Sequence, residues 1–393
     1  MKRYGLLGLF VSAGALLFGA SEELERYTAA YQNAATTTAK LAVVRQVADA
    51  GIAEAAGFYA LALERLVADY PNIRTGQELE IKAANTMARL LAEQLGNAQY
   101  RDAARNLWRA EQSFPDSLVK ADMLIALGKA GAVEFLPQVV KVLQDLNLRP
   151  PQDPLEGERV AYGAIIALEN YKDASGYLPV FFASTGWYSD RIKNQAKASL
   201  PRILEDPTEP LSSVVKSPGY PHGVKYLALQ TQEESWVSND KKAFIAAAAL
   251  QEGWKASTSD VRQRGDLGGM RKLALDMLRR YGTAGQPVYP LMERSYQEGI
   301  DAQEKYAAVT ALASLKTDEA VGLLNEFLLG LNGKLKNGVL KPADEQMVRT
   351  LIPALGATGN PKAAESLETI QNLDWTHTVK MLAVDALGKT QSQ

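Results

Sequence analysis

One pattern of apolar and polar positions recurs along most of the chain. An apolar residue, often followed by Lys or Arg, is succeeded by apolar or small residues three, six and seven positions after the basic one. The clearest copies are Val119-Lys120 with Met123, Ala126 and Leu127; Lys305 with Ala308, Ala311 and Leu312; and Val379-Lys380 with Ala383, Ala386 and Leu387. Ile192-Lys193 with Ala196, Ser199 and Leu200 keeps the register, as does Met270-Arg271 with Ala274, Met277 and Leu278. Val160 and Met347 open copies without the basic residue, Val224-Lys225 opens a weaker one, and Ala39-Lys40 and Ile81-Lys82 open approximate ones. Apolar positions at these spacings form one face of a helix. Successive copies begin about 38 residues apart, long enough for two helices each. The pattern therefore predicts an all-α chain of roughly nine or ten helix pairs, in which stacked neighbours bury what one pair leaves open.

The second helix of each pair has a start signal of its own. Leu136-Pro137 leads into Val139, Val140 and Leu143, Leu178-Pro179 into Val180 and Phe181, and Tyr289-Pro290 into Leu291 and Met292. Proline is tolerated in the first turn because the N–H it lacks would be unpaired there. Pro201 and Pro353 fall late in helical patterns, where a kink or an early end is expected.

This two-helix unit, with its L-P-x-V start and V-K/R-x-x-A-x-x-A-L follower, resembles the HEAT repeat family, including its bilin-lyase-type HEAT-like variety. The resemblance runs from about Ala39 to Gly388, and strings such as Ile125–Gly131 and Ala354–Pro361 resemble the family's helix-to-helix turns. It implies a right-handed α-α superhelix, an armadillo-like solenoid of antiparallel helix pairs, and no particular activity. Residues 117–393 carry the pattern most clearly. Residues 22–116 are less regular, and Phe58 to Tyr70, ending at Pro71-Asn72, fits a tetratricopeptide-like helix equally well.

The first 21 residues read differently. Lys2 and Arg3 precede an uncharged run from Tyr4 to Ser21 centred on Leu6, Leu7, Leu9, Phe10, Val11, Leu16, Leu17 and Phe18. This is the layout of a secretory signal peptide, with cleavage expected after Ser21. The apolar part is shorter than the ~20 residues of a spanning helix, so no transmembrane segment is expected in the mature chain. A periplasmic or secreted location follows.

Composition narrows the chemistry. Without cysteine the chain has no disulfide, iron–sulfur or thiol chemistry. Loss of Lys2 and Arg3 would take the formal net charge from −2 to −4, which lacks the basic excess that phosphate neutralisation needs, so nucleic acid is not an expected partner. His222 and His377, the two histidines, lie far apart in a stack whose units touch only their neighbours, which disfavours a Ser-His-Asp triad or a histidine metal site. The strings Ser117 to Lys120 and Ser213 to Lys216 match S-x-x-K, yet the S-D-N and K-T-G companions of that nucleophile motif are missing. No catalytic residue, metal ligand or cofactor is expected.

Loop lengths suggest where a partner would meet the chain. Turns at Lys129–Val133, Asn170–Ala174 and Gly282–Gly285 are short, whereas 147–156, 184–190, 217–223, 256–269 and 330–342 read as longer connections, all on one edge of a stack. Trp187, Tyr188 and Tyr220 lie in two of them, either as interface anchors or as caps on the apolar seam beneath. Arg262, Arg264, Arg271, Lys272, Arg279 and Arg280 form a basic strip, offset by Asp260, Asp266 and Asp276, that could meet an acidic partner or lipid head groups, or be a solvated loop and helix face. The expected function is an exported, non-enzymatic scaffold binding a protein partner in the cell envelope. The alternative is a secreted α/α-toroid enzyme acting on polysaccharide through a carboxylate pair.

Overall fold

The structure is a computed structural model that describes residues 22–52, 54–256 and 258–391. The signal-peptide reading and its cleavage at Ser21 lie outside the described residues. Among those residues every regular element is helical, with no strand.

Packing divides the chain into two compact units that meet at Leu204/Glu205. The first holds α1 (22–33), α2 (Thr37–Ala50), α3 (Ala56–Ile73), α4 (Glu78–Asn97), α5 (Ala104–Ser113), α6 (Ser117–Lys129), α7 (Leu136–Leu148), α8 (Pro154–Tyr171), α9 (Tyr177–Thr185) and α10 (Asp190–Ile203). The second holds α11 (Thr208–Lys216), α12 (His222–Glu234), α13 (Asn239–Lys255), α14 (Val261–Tyr281), α15 (Tyr289–Glu298), α16 (Ala302–Leu315), α17 (Asp318–Lys336), α18 (Pro342–Thr358), α19 (Ala364–Gln371) and α20 (His377–Gln391). The change of repeat character near residue 116 falls inside the first unit, between α5 and α6, which pack against each other.

All ten copies of the apolar pattern lie in the even-numbered helices, α2 to α20. Their spaced positions are the core: Met123, Leu127, Ala164, Ala167, Leu168, Ala274, Met277, Leu278, Ala308, Ala311 and Leu312 are all fully buried. In the first unit α2, α4, α6, α8 and α10 pack in succession, α3 packs on α5, and α7 on α9. In the second unit α12, α14, α16, α18 and α20 form the same kind of row, beside contacts of α13 with α11 and α15 and of α17 with α19. The substantial helix–helix contacts of each unit thus join elements one or two apart in the chain.

Glycine sets the spacing within the even rows. A Cβ on Gly128 of α6 would lie 2.5 Å from the Ala167 Cα of α8, and one on Gly163 would lie 2.6 Å from the Ala121 Cα. The approach recurs where Gly96 of α4 faces Ala126 of α6 and Gly356 of α18 faces Ala386 of α20, at 3.1 and 2.7 Å. In each of these two, and between Gly128 and Ala167, the glycine follows a core leucine and meets the alanine at the second spaced position of the next copy. Backbones can come this close only where no side chain intervenes.

The termini are set locally. Asp116 caps α6 by accepting from the Leu118 and Val119 N–H groups, Asp153 caps α8, and Asp301 caps α16. Pro137 and Pro290 stand in the first turns of α7 and α15, where their patterns predict helix starts.

Two expectations about connections are corrected. Residues 256–269 are not a long loop: α14 starts at Val261, and Gly268 sits in it because an added Cβ would strike Ile300 at 2.5 Å. Residues 330–342 shrink likewise, since α17 continues to Lys336, held by buried Leu331 and by Asn332, whose Oδ1 accepts from Trp375 Nε1 at 2.9 Å. Pro353 lies inside α18, which runs on to Thr358, so of the kink or early end expected there the early end does not occur.

Candidate functional site

Of the sequence-predicted contact residues, Trp187 and Tyr188 lie in the turn between α9 and α10. Tyr188 is 2% exposed, its ring stacks on Trp187 with centroids 4.2 Å apart, and its hydroxyl donates to Asn147 Oδ1 at 2.9 Å. Trp187, half-buried, donates from Nε1 to the Leu146 carbonyl at 2.9 Å. Asn147 in turn donates to the Pro179 carbonyl. Burial raises the Tyr188 phenol above its ordinary pKa, with a smaller contribution from the Glu158 carboxylate. Tyr188 therefore serves packing: it ties the end of α7 to the start of α10 and offers no free anchor.

The other three lie in the second unit. Tyr220 is half-buried in the α11–α12 connection, while Arg262 and Arg264 are exposed on the first turns of α14. The basic strip does not behave as one solvated face. Lys272 pairs with Asp301 at 2.8 Å, Arg279 and Arg280 pair with Asp276 at 2.7 Å, and Arg271 is buried.

Arg271 forms a buried ion pair that the sequence reading missed. Its Nε and Nη2 donate to the two carboxylate oxygens of fully buried Glu304 at 2.6 and 3.0 Å, and its Nη1 donates to the Gly253 carbonyl at 2.9 Å. The guanidinium also lies 4.1 Å from the ring centroid of Trp254, whose Nε1 donates to Ser295. A readable signal existed, because Glu304 occupies the opening position of its copy, where most other copies carry an apolar residue.

The structure also has a groove on the exposed face of the even-numbered helices of the first unit. One part, about 330 Å³, lies across α6, α8 and the start of α10, with Leu118, Ile125, Leu155, Arg159, Tyr162 and Arg191 among its lining residues. A second part of about 430 Å³ continues it over α4 and α6, sharing Asp122 and Ile125. The lining residues of α6 and α8 recur at helical spacing on the side opposite the buried pattern. Glu158 receives hydrogen bonds from the N–H and Oγ of Ser189, the latter at 2.9 Å, and so fixes the start of α10 beside α8. The aromatic pair Trp187–Tyr188 directly precedes that helix start and joins it to the end of α7.

A larger cleft of about 650 Å³ lies in the second unit, lined by Tyr296, Ile300, Lys305, Tyr306, Lys334 and Met347 among others. Its cations are already engaged: Lys334 pairs with Asp344 at 2.7 Å, and Lys305 donates to the Gln297 carbonyl at 3.1 Å. Among the described residues no group of three or more acidic or histidine side chains is placed to hold a metal ion, and no helix is long and apolar enough to cross a membrane. Ser117 of the first S-x-x-K string is buried and accepts from Arg159 Nη1 at 3.4 Å. No protein-family model matches the chain, and no curated protein is significantly similar to it.

Proposed function

We propose that the chain is an exported, non-enzymatic interaction scaffold, a right-handed α-α solenoid of HEAT-like helix pairs that holds a protein partner in the cell envelope. The observation that carries this reading is the packing order. Within each unit helices pack mainly on those one or two away in the chain, while the even-numbered helices that carry clear copies, α6, α8, α10, α14, α16, α18 and α20, turn the same patterned face inward. Repetition of that kind leaves the opposite face of the even row as a continuous surface, a common design for binding extended partners.

The contact surface is assigned to that face in preference to a rim of long loops, because two of the longest connections fold as helix. The test is photocrosslinking in envelope-containing cells. A photoreactive residue at Leu155, on the groove, is expected to give a discrete protein adduct, and one at Glu326 on α17 is expected to give none. Failure to obtain an adduct from any position on the even-numbered face, or hydrolysis of an envelope polysaccharide by the purified chain, would reject the scaffold reading.

A further inference from the structure

We infer that the groove over α6, α8 and α10 takes a short peptide segment of the partner that carries carboxylate side chains next to bulky apolar ones. This inference rests on the scaffold reading and adds the chemistry of its contact. The argument is one of unequal charge satisfaction. Four charged side chains stand close together on this part of the groove: Asp122, Glu158, Arg159 and Arg191. Both acids are answered from within the protein. Asp122 accepts from Arg89 Nε at 2.6 Å, and Glu158 accepts two hydrogen bonds from Ser189.

The arginines are not answered in the same way. Neither Arg159 nor Arg191 forms an ion pair among the described residues. Arg159 has a single long hydrogen bond to the Ser117 hydroxyl at 3.4 Å, and Arg191 lies 5.9 Å from the ring centroid of Tyr162, at the outer limit of a cation–π contact. Two guanidinium groups are thus held beside an apolar floor of Leu118, Ile125 and Leu155, the last 54% exposed. A guanidinium fork fits a carboxylate with two parallel hydrogen bonds, and the neighbouring apolar surface strengthens such a pair by excluding water. The rest of the chain argues against a general attraction for anions, since its formal net charge is −2. At about 330 Å³ this part of the groove accommodates a few side chains, and its continuation over α4 gives an extended segment room to run on.

The test is a selection followed by charge reversal. A phage-displayed library of random peptides is selected on immobilised residues 22–393, and recovered peptides are synthesised and measured by fluorescence anisotropy. The expected sequences place Asp or Glu beside Leu, Ile or Phe. Their affinity is expected to fall about tenfold or more on R159E/R191E and to stay unchanged on R105E, a charge reversal on the exposed face of α5. Replacing the peptide's acids by Lys is expected to restore binding to the double variant. R159Q/R191Q serves in the same assay if R159E/R191E fails to give the wild-type helical melt. Recovery of no acidic-apolar sequence, or equal binding to wild type and double variant, overturns the inference. A discrete crosslink at Leu155 beside such a result would leave the scaffold reading intact, whereas absence of crosslinks across the even-numbered face rejects both.

Discussion

Single side chains decide how firmly neighbouring helices are held. Tyr188→Ala removes a buried ring from beneath Trp187 and is expected to cost roughly 3–5 kcal/mol, whereas Tyr188→Phe loses one hydrogen bond at about 1 kcal/mol. Chemical denaturation of the two variants separates these costs. Glu304→Gln leaves Arg271 buried beside a weaker partner and is expected to cost roughly 3–5 kcal/mol in the same measurement, while Arg271→Met with Glu304→Leu lies closer to wild type. Glu111 in α5 is buried, and burial holds its carboxyl above the usual range, partly opposed by Lys120. Its folded form binds the proton more tightly than the unfolded one, so its contribution is present at low pH and lost as pH rises through the raised value. Glu111→Gln is therefore expected to melt higher than wild type near neutral pH and to lose that advantage in acid. The sequence could show that Trp187 and Tyr188 were unusual for a loop. It could not show that their partners are Leu146 and Asn147, since the four residues lie outside the apolar pattern that sets the register between repeats. Arg271 and Glu304 were more accessible to reasoning, because a glutamate in an apolar position needs a buried counter-charge.

At the level of elements, the even-numbered helices could be read because the alanines and leucines of the clear copies are buried, Leu387 excepted, and the same spacing recurs. Ala126, Ala167 and Ala386 each face a glycine of the preceding even helix. Gly128→Ala is expected to destabilise by roughly 1–3 kcal/mol through overpacking against Ala167. Gly322→Ala and Gly330→Ala, in the interior of α17 with open space around them, are expected to stabilise by roughly 0.5–1 kcal/mol each. Thermal melts of the three variants check both signs. The same comparison explains why the sequence misread 256–269 and 330–342. Both stretches contain glycine, but Gly268 makes room for Ile300 across a helix contact, and Gly330 sits in a helix held by its buried neighbours. A residue that frees the backbone in one setting admits a neighbour in another, and local pattern does not distinguish them.

For the whole molecule, the export reading makes a direct expectation. Protein recovered from the envelope fraction should begin at Glu22 on amino-terminal sequencing, and a chain recovered with Met1 intact would contradict it. The order of packing also bears on folding. Contacts within each unit join elements close in the chain, so closure of long loops contributes little to the barrier, and each unit is expected to refold without a slow phase from distant pairing. Stopped-flow refolding of residues 22–393 checks this. The sequence conveyed this order well, since a period of about 38 residues is itself a statement about neighbours. The location of the groove was not legible, because most of its lining residues, such as Leu118, Leu155, Arg159 and Tyr162, stand outside the repeating pattern.

The glycine contacts beneath the groove act as a calliper. Gly128 against Ala167 and Gly163 against Ala121 bring the backbones of α6 and α8 close together, and Leu118, Ile125, Arg159 and Tyr162 stand on those same two helices. One methyl group introduced at either glycine, out of reach of any visitor, should prise the jaws apart and loosen their grip on whatever lies between them.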